Sequence, residues 1–294
     1  MGVVRQEIRL RAFAKVNYAL DVLGLRADSY HEVRTVMQSI SLSDEVGIER
    51  LAAGFELVTE PERADIGPPE RNTVYIAWKS LQSLTEEALP VKVTLRKGIP
   101  AGAGLGGGSA DAAAVLVGLN ELFGLGLNVV ELRKIGAEVG ADVPFCVSGG
   151  TALGEGVGEI LTPLPEPPAH HLVVAKPRRS ADTGEIYRAH DAAKTRSSRS
   201  VAPVTSALLS GSLPALAAAL GNDLSTVTAD AVPEMAAMAQ ELVASGALGA
   251  SMSGSGTAVF GIFEDEEDAR SAKATVDAPF VDFYVPVSRG IEIA

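Results

Sequence analysis

The stretch PAGAGLGGGSADAAAVLVGL, residues 100–119, limits what this chain can fold into more sharply than any other. From Ser109 to Phe123 it is alanine-rich and apolar almost all round, the composition of a helix buried on most of its sides, and Gly124 closes it. The residues before it form a glycine loop. Glycine lets backbone approach an anion with no Cβ in the way, and a helix N-terminus offers unpaired N–H groups and the positive end of a dipole. Glycines before a helix also serve close packing of backbone on backbone, so the loop alone leaves both readings open.

Three familiar phosphate loops share this appearance, and the spacing excludes each. A Walker loop needs Gly-x-x-x-x-Gly-Lys-Ser/Thr, but after Gly102 and Gly107 the lysine position holds Gly108. Gly102, Gly104 and Gly107 satisfy the dinucleotide pattern, yet the acid expected about 20 residues on, Glu121, lies within the same helix with no second strand between. The protein-kinase loop requires HRD and DFG signatures, and neither occurs. What remains is a long glycine loop ending in Ser109 at the start of a buried helix.

The rest of the chain surrounds this element with strands and helices. IRLRAFAKVNYALDVLGL, EVGIERL, FELVTE and VKVTLRK alternate as strands, while NTVYIAWKSLQSL has helical spacing, with Val74, Ala77, Trp78 and Leu81 on one face and Asn72 as N-cap. Asn128 and Glu131 form a capping box for VVELRKIGAEV, which Gly140 ends. GADVPFCVSGGTAL then reads as a turn leading to a short strand. The proline-rich run TPLPEPPAHH, residues 162–171, marks a boundary near residue 160. Beyond it come the strand LVVAKP, a polar and weakly basic loop at 192–203, the helix VPEMAAMAQELVASG, and a strand, strand, helix, strand ending. The reading is two α+β domains, 1–160 and 161–294.

Composition narrows the function classes. Of 294 residues, 47% are hydrophobic, enough for a sizeable core, and 37 acidic against 25 basic side chains give a net charge of −12. That field repels polyanions, which argues against nucleic acid or an anionic membrane as partner but leaves a small anionic substrate open. No segment reaches the roughly 18 uncharged apolar residues of a membrane span. MGVVRQEIRLRAF lacks a signal-peptide core, and Gln6 stands where a myristoylation signal on Gly2 wants Ser or Thr, so the expected location is cytoplasmic. The single cysteine, Cys146, sits in the apolar run VPFCV and reads as a buried structural thiol.

PAGAGLGGGSADAAA resembles the central motif of the GHMP kinases, Pro-x-x-x-Gly-Leu-Gly-Ser-Ser-Ala, with Gly107 and Gly108 in place of serines. AFAKVNYALDVLG, DSYHEVRTVMQSISLSD, GADVPFCVSGGTAL and GASMSGSGTAVFGIF are similar to further motifs of the family, in order from residue 12 to 263. The resemblance implies a two-domain GHMP kinase fold, with a ribosomal-protein-S5-like α/β domain first and a ferredoxin-like α+β domain second. It implies an ATP site along Pro100, Ala101, Gly102, Ala103, Gly104, Leu105, Gly106, Gly107, Gly108, Ser109 and Ala110, with Asn72 and Lys97 on the nucleotide side. The glycine-rich variant of the loop is similar to a branch that moves the γ-phosphoryl of MgATP to the 2-hydroxyl of a cytidine diphosphate-linked methylerythritol, in isoprenoid biosynthesis.

On that resemblance Lys15 and Asp142 are the catalytic pair, Tyr30, His31 and Tyr187 hold the cytosine, and Asn17 and Thr183 lie near the sugar and diphosphate. A carboxylate that accepts a proton suits an alcohol acceptor, which is a poor nucleophile. Without the resemblance, Asp142 reads as an ordinary turn aspartate and Lys15 as a solvated strand lysine, while the Tyr30-His31 pair reads equally as surface decoration or as a ring and hydrogen-bonding partner for a base. Mg²⁺ is expected to arrive with ATP rather than in a protein-built cage, with Ser109 as a candidate contact, and Asp111 to serve the helix dipole. His170, His171 and His190 lack metal-ligand spacing and are expected to be exposed. The expected assembly is a monomer or weak homodimer. Tyr30 and His31 speak against homoserine or mevalonate as acceptor, and the retention of Lys15 with Asp142 against a silent ligand sensor on the same fold.

Overall fold

The computed structural model describes residues 5–60, 69–193 and 199–294, so Gly2 and the 194–198 part of the polar loop lie outside the described residues. Two long strands, β1 (Glu7–Leu25) and β2 (His31–Arg50), pair antiparallel along almost their whole length. Glu7 to Arg11 alternate exposed and buried, whereas Ala12 to Val22 are buried on both faces. The alternating sequence predicts a one-sided strand; layers on both sides convert its second half into core. β2 is longer than EVGIERL suggests because it begins at His31, one tight turn after β1.

The ladder acts as a spine. The first half of β2 pairs with β5 (Thr151–Glu155), which pairs with β6 (Ile160–Pro163), and its second half pairs with β4 (Val91–Arg96), beside which β3 (Phe55–Thr59) runs parallel. Between β3 and β4 stands α1 (Thr73–Thr85), whose N-cap is Asn72, accepting the Val74 N–H at 2.9 Å. The alanine-rich helix is α2 (Gly107–Phe123); it starts two residues before Ser109 and packs against α1, β1 and β2. Gly124 ends it in the left-handed region, and the Asn128–Glu131 capping box opens α3 (Val129–Val139). The turn expected at 140–150 holds a short helix, α4 (Val143–Ser148), with Pro144 in its first turn, where a missing N–H costs nothing.

The second sheet has the order β11-β7-β10-β9, from β7 (His171–Lys176), β9 (Gly249–Met252), β10 (Val259–Phe263) and β11 (Phe280–Tyr284). Its two faces are both buried. Leu172, Val174 and Phe260 join the core beneath β1, while Val173, Ala175, Val259 and Phe263 pack on α9 (Pro233–Ala244) and α10 (Glu266–Thr275). α5 (Thr183–Ala193), α6 (Val201–Ser210), α7 (Leu213–Ala219) and α8 (Ser225–Ala231) complete this half, so the loop read at 192–203 is helical at both ends. The 161–294 segment is not confined to this sheet: β8 (Gly221–Asn222) and β12 (Ile291–Ile293) both pair with β1. No helix among the described residues is long and apolar enough to cross a membrane.

The proline-rich crossing is fastened by a histidine that the sequence reading leaves exposed. His170 is 3% exposed; its Nδ1 donates to the Pro168 carbonyl at 2.7 Å, which leaves Nε2 to accept from the buried Tyr18 hydroxyl at 3.1 Å. His190 is buried as well, and His171 half-buried. Burial pulls His170 below the usual imidazole range, so folding favours the neutral ring. The unfolded chain then takes up the proton first as pH falls below about 6.5, and this contribution is full above that value and lost on acidification. Urea unfolding at about pH 7.5 and about pH 5.5 should show a smaller pH-dependent loss of stability in His170→Gln than in the wild type. Equal losses would remove His170 from this role.

Candidate active site

Lys15 projects from the part of β1 buried on both faces and is 3% exposed. Its Nζ donates to Asn17 Oδ1 at 2.7 Å, two residues along the same strand face, and lies 3.4 Å from Asp142 Oδ2. Asn17 is held in turn: its Nδ2 donates to Thr35 Oγ1 on β2 at 2.7 Å, and that hydroxyl donates to the Ala19 carbonyl at 2.7 Å. This one-way chain of donors turns the amide oxygen toward the lysine. Asp142 occupies the N-cap position of α4, yet its side chain caps no N–H, so the carboxylate is left to Lys15 and, at 34% exposed, to whatever enters from solvent. Lys15 is therefore no solvated strand lysine, and Asp142 is no ordinary helix cap.

The glycine loop arches over this pair. Gly106 is left-handed (φ 74°) and gives α2 no capping side chain, which leaves its first-turn N–H groups for another acceptor. Gly104 answers the packing alternative: a Cβ there would lie 2.0 Å from the Ser253 carbonyl oxygen, and its own carbonyl accepts from Ser253 Oγ at 2.8 Å. The loop is thus clasped between β1, through Lys15 N–H to Leu105 O at 3.0 Å, and the 253–258 segment, through Ala258 N–H to Ala103 O at 3.1 Å. Thr73 Oγ1 donates to the Gly108 carbonyl at 2.8 Å. Beside the loop lies a cavity of about 350 Å³, lined by residues 99–109 with Asn72, Thr73, Lys97 and Asp111. Open N–H groups at the head of a 17-residue helix, facing glycines and a cavity, fit a phosphate chain.

Lys97 reaches this cavity with its ammonium already bonded to two carboxylates, those of Asp44 and Asp111. Burial alone would pull Lys97 down, and the Asp111 and Asp44 charges outweigh it and raise it. Asp111 is pushed up to about 8, first by burial, against the pull of Lys97, with the Asp44 charge adding to the rise. Because α2 starts at Gly107, Asp111 lies past the first turn and its partner is Lys97, not the helix terminus. Among the described residues no group of three or more His, Cys, Asp or Glu side chains forms a metal cage.

Within the field of Asp142, α5 presents Tyr187, with Asp191 one turn further along. The Tyr187 ring stacks on His31 with centroids 4.6 Å apart and planes at 28°. His31 Nε2 donates to Asp191, 3.0 Å from each carboxylate oxygen. Burial, with the Asp142 charge, pushes the Tyr187 phenol up to about 12, so it remains a neutral donor. Thr183 opens α5 with its hydroxyl 2.8 Å from Ser255 Oγ. Tyr30 stands apart, 64% exposed at the tip of the β1–β2 turn. Sequence reasoning singles out none of Asp191, Thr35, Ser253 and Ser255, although Thr35, Ser253 and Ser255 lie in stretches similar to family motifs and Asp191 falls four residues after Tyr187 on a helix.

Comparison with known proteins identifies the family. The family profile for the GHMP kinases N terminal domain matches residues 72–150, and that for the GHMP kinases C terminal matches residues 204–282. The chain is 45% identical over 282 residues to the 4-diphosphocytidyl-2-C-methyl-D-erythritol kinase of Moorella thermoacetica, covering 95% of this chain and 98% of that one. It is 42% identical over 263 residues to the enzyme of the same name from Caldicellulosiruptor saccharolyticus, covering 90% of each. A crystal structure of 4-(cytidine 5'-diphospho)-2C-methyl-D-erythritol kinase superposes with TM-score 0.79 at 32% identity, covering 95% of this chain and 99% of that one. Homoserine kinase from Cytophaga hutchinsonii gives the same TM-score at 20% identity, over 100% of this chain and 99% of that one, a likeness of fold alone.

Cys146, inside α4 and 1% exposed, takes no part in this arrangement. Burial first, then the Asp142 charge, raise its thiol well above the usual range, so the thiolate is scarce at neutral pH. Iodoacetamide should leave the native chain unlabelled over a period that labels the urea-unfolded chain completely, read by intact mass. Comparable labelling of both forms would contradict the burial.

Proposed function

The chain belongs to the GHMP kinase family, and from that premise we propose that it transfers the γ-phosphoryl group of MgATP to the 2-hydroxyl of 4-diphosphocytidyl-2-C-methyl-D-erythritol, a step of isoprenoid precursor biosynthesis. The observation that carries this reading is the buried Lys15 ammonium poised on Asn17 and Asp142 beneath the glycine loop, with the Tyr187 of the His31–Tyr187 stack within the field of that same Asp142. Relatives sharing more than 40% identity over most of the chain bear the corresponding name.

The residue roles in this reading join the geometry to what the family resemblance implies. The open N–H groups at the start of α2 and the backbone of residues 100–110 hold the phosphates, and Asn72 and Lys97 border the same cavity. Asp142 accepts the proton of the 2-hydroxyl as that oxygen forms its bond to the γ-phosphorus, and the electrons of the broken P–O bond depart on ADP. Being partly exposed, Asp142 can return its proton to water. Lys15, fixed by Asn17, orients the carboxylate and offsets charge on the transferring group. Ser109, the hydroxyl at the loop's end, is the residue that would contact Mg²⁺ brought by ATP, and the ion would supply neutralisation of phosphate charge there. On the resemblance, His31 and Tyr187 take the cytosine with the exposed Tyr30 closing over it from the turn, and Thr183 and Asn17 lie near the sugar and diphosphate, the buried Asn17 acting there by holding Lys15. The same reading takes the enzyme as cytoplasmic and as a monomer or weak homodimer acting on small molecules.

A coupled assay for ADP release, with each candidate acceptor supplied alone, tests the substrate. Turnover with the cytidyl compound is expected, and turnover with homoserine or mevalonate but not with it would overturn the assignment. Asp142→Asn should lower kcat by about 10²- to 10⁴-fold while leaving the ATP Kd within about twofold of the wild type. Undiminished kcat would remove Asp142 from its role. Tyr187→Ala should raise the acceptor KM by roughly tenfold through lost stacking, with kcat far less affected; an unchanged KM would reject the stack.

A further inference from the structure

The β2–β4 ladder ends at Glu45–Arg96, and the hydrogen bonding does not stop there. Asp44, the next residue of β2, is fully buried and continues the ladder with its side chain. Its Oδ1 accepts the N–H groups of Gly98 at 2.7 Å and Ile99 at 2.8 Å, while its Oδ2 accepts from Lys97 Nζ. The chain is thereby turned out of the sheet into the glycine loop at a fixed angle. Lys97 also donates to Asp111 on α2, the element into which the loop returns. Both feet of the loop, 97–99 and 111, are therefore tied to one carboxylate on β2.

Charge attraction does not account for this cluster. Two carboxylates around one ammonium leave no surplus positive charge to offer a triphosphate, and a carboxylate close behind a phosphate loop opposes anion binding. What Asp44 supplies is geometry: three hydrogen bonds that fix the loop before any ligand arrives.

We propose that Asp44 is a positioning residue for nucleotide binding, holding the glycine loop in its open-handed shape by gripping the Gly98 and Ile99 N–H groups directly and Asp111 through Lys97. The proposal rests on the reading of this loop as the ATP site. It separates cleanly from an electrostatic role, because the two give opposite signs when Asp44 is removed. Loss of a nearby negative charge alone would tighten MgATP binding, whereas loss of the grip weakens it.

Three measurements on the full chain test this. By calorimetric titration, Asp44→Ala should weaken MgATP binding about tenfold or more, while the acceptor KM changes by less than about twofold. Asp44→Asn keeps an oxygen for the two N–H groups but loses the ammonium contact, and should fall between Asp44→Ala and the wild type. In the unliganded chain, hydrogen exchange at the Gly98 and Ile99 amides should quicken in Asp44→Ala and be largely restored in Asp44→Asn, with the β1–β2 ladder unchanged. Unchanged or tighter MgATP binding in Asp44→Ala would overturn the proposal, as would a parallel rise of the acceptor KM or unaltered exchange at both amides. Should Asp44→Ala not fold, a severalfold weakening in Asp44→Asn supports the proposal and unchanged or tighter binding there overturns it. A wild-type chain that failed to bind MgATP would sink the nucleotide reading instead, and the exchange measurement would still decide whether Asp44 fixes the loop.

Discussion

An ammonium group is tolerated inside a protein only where its charge is met at close range, because the cost of taking it out of water far exceeds a single hydrogen bond. Lys15 sits at such a place, in the doubly covered half of β1, and only the Asn17 oxygen and the Asp142 carboxylate meet its Nζ among the described contacts. Each of those groups depends on another element. Asn17 is turned by Thr35 of β2, Asp142 is carried by the start of α4, and the lysine stem lies against the glycine at the head of α2. Satisfying one charge therefore requires β1, β2, α2 and α4 to be in register together. The site is a consequence of that requirement as much as an addition to it.

The parts of this fold that the sequence announces are those decided locally. Asn72 and the Asn128–Glu131 pair cap their helices because a side-chain oxygen beside a free N–H needs no distant partner, and Gly124 ends α2 because a left-handed residue is a property of the backbone there. The full length of β2, the return of β12 to β1, and the burial of His170 are decided by contacts far along the chain. Tyr18, the partner of His170, lies 152 residues away, and no window of sequence contains both. Of the candidate site, Lys15 and Asp142 are legible only through the family resemblance, since a strand lysine and a turn aspartate are by themselves ordinary. Asp44 is less legible still: its meaning depends on where a strand ladder stops.

Net charge and local chemistry part ways at the loop. A chain of net charge −12 is a poor attractor of anions at long range, and Lys15 and Lys97 beside the loop are both engaged with carboxylates. A source of attraction independent of side-chain charge is the backbone, through N–H groups at the head of α2 that Gly106 leaves uncapped. Backbone donors carry no side-chain entropy to lose, so their strength rests on being aimed in advance. That is why the clasp of Ser253 on Gly104 and of Thr73 on Gly108 matters to binding although neither side chain need touch a phosphate.

The same logic of aiming extends to the proposed acceptor side, where α5 acts as a ruler. Thr183, Tyr187 and Asp191 recur at intervals of four residues and so lie along one face of the helix. The first is held to the 253–257 segment through Ser255, the second stacks on His31 of β2 within the field of Asp142, and the third accepts from that same histidine. One rigid helix thus sets the spacing between the clasped glycine loop and the aromatic stack. In the proposed reaction that spacing fixes which hydroxyl of the acceptor meets Asp142: binding energy gained at the base is converted, through an unbending element, into placement at the reacting oxygen.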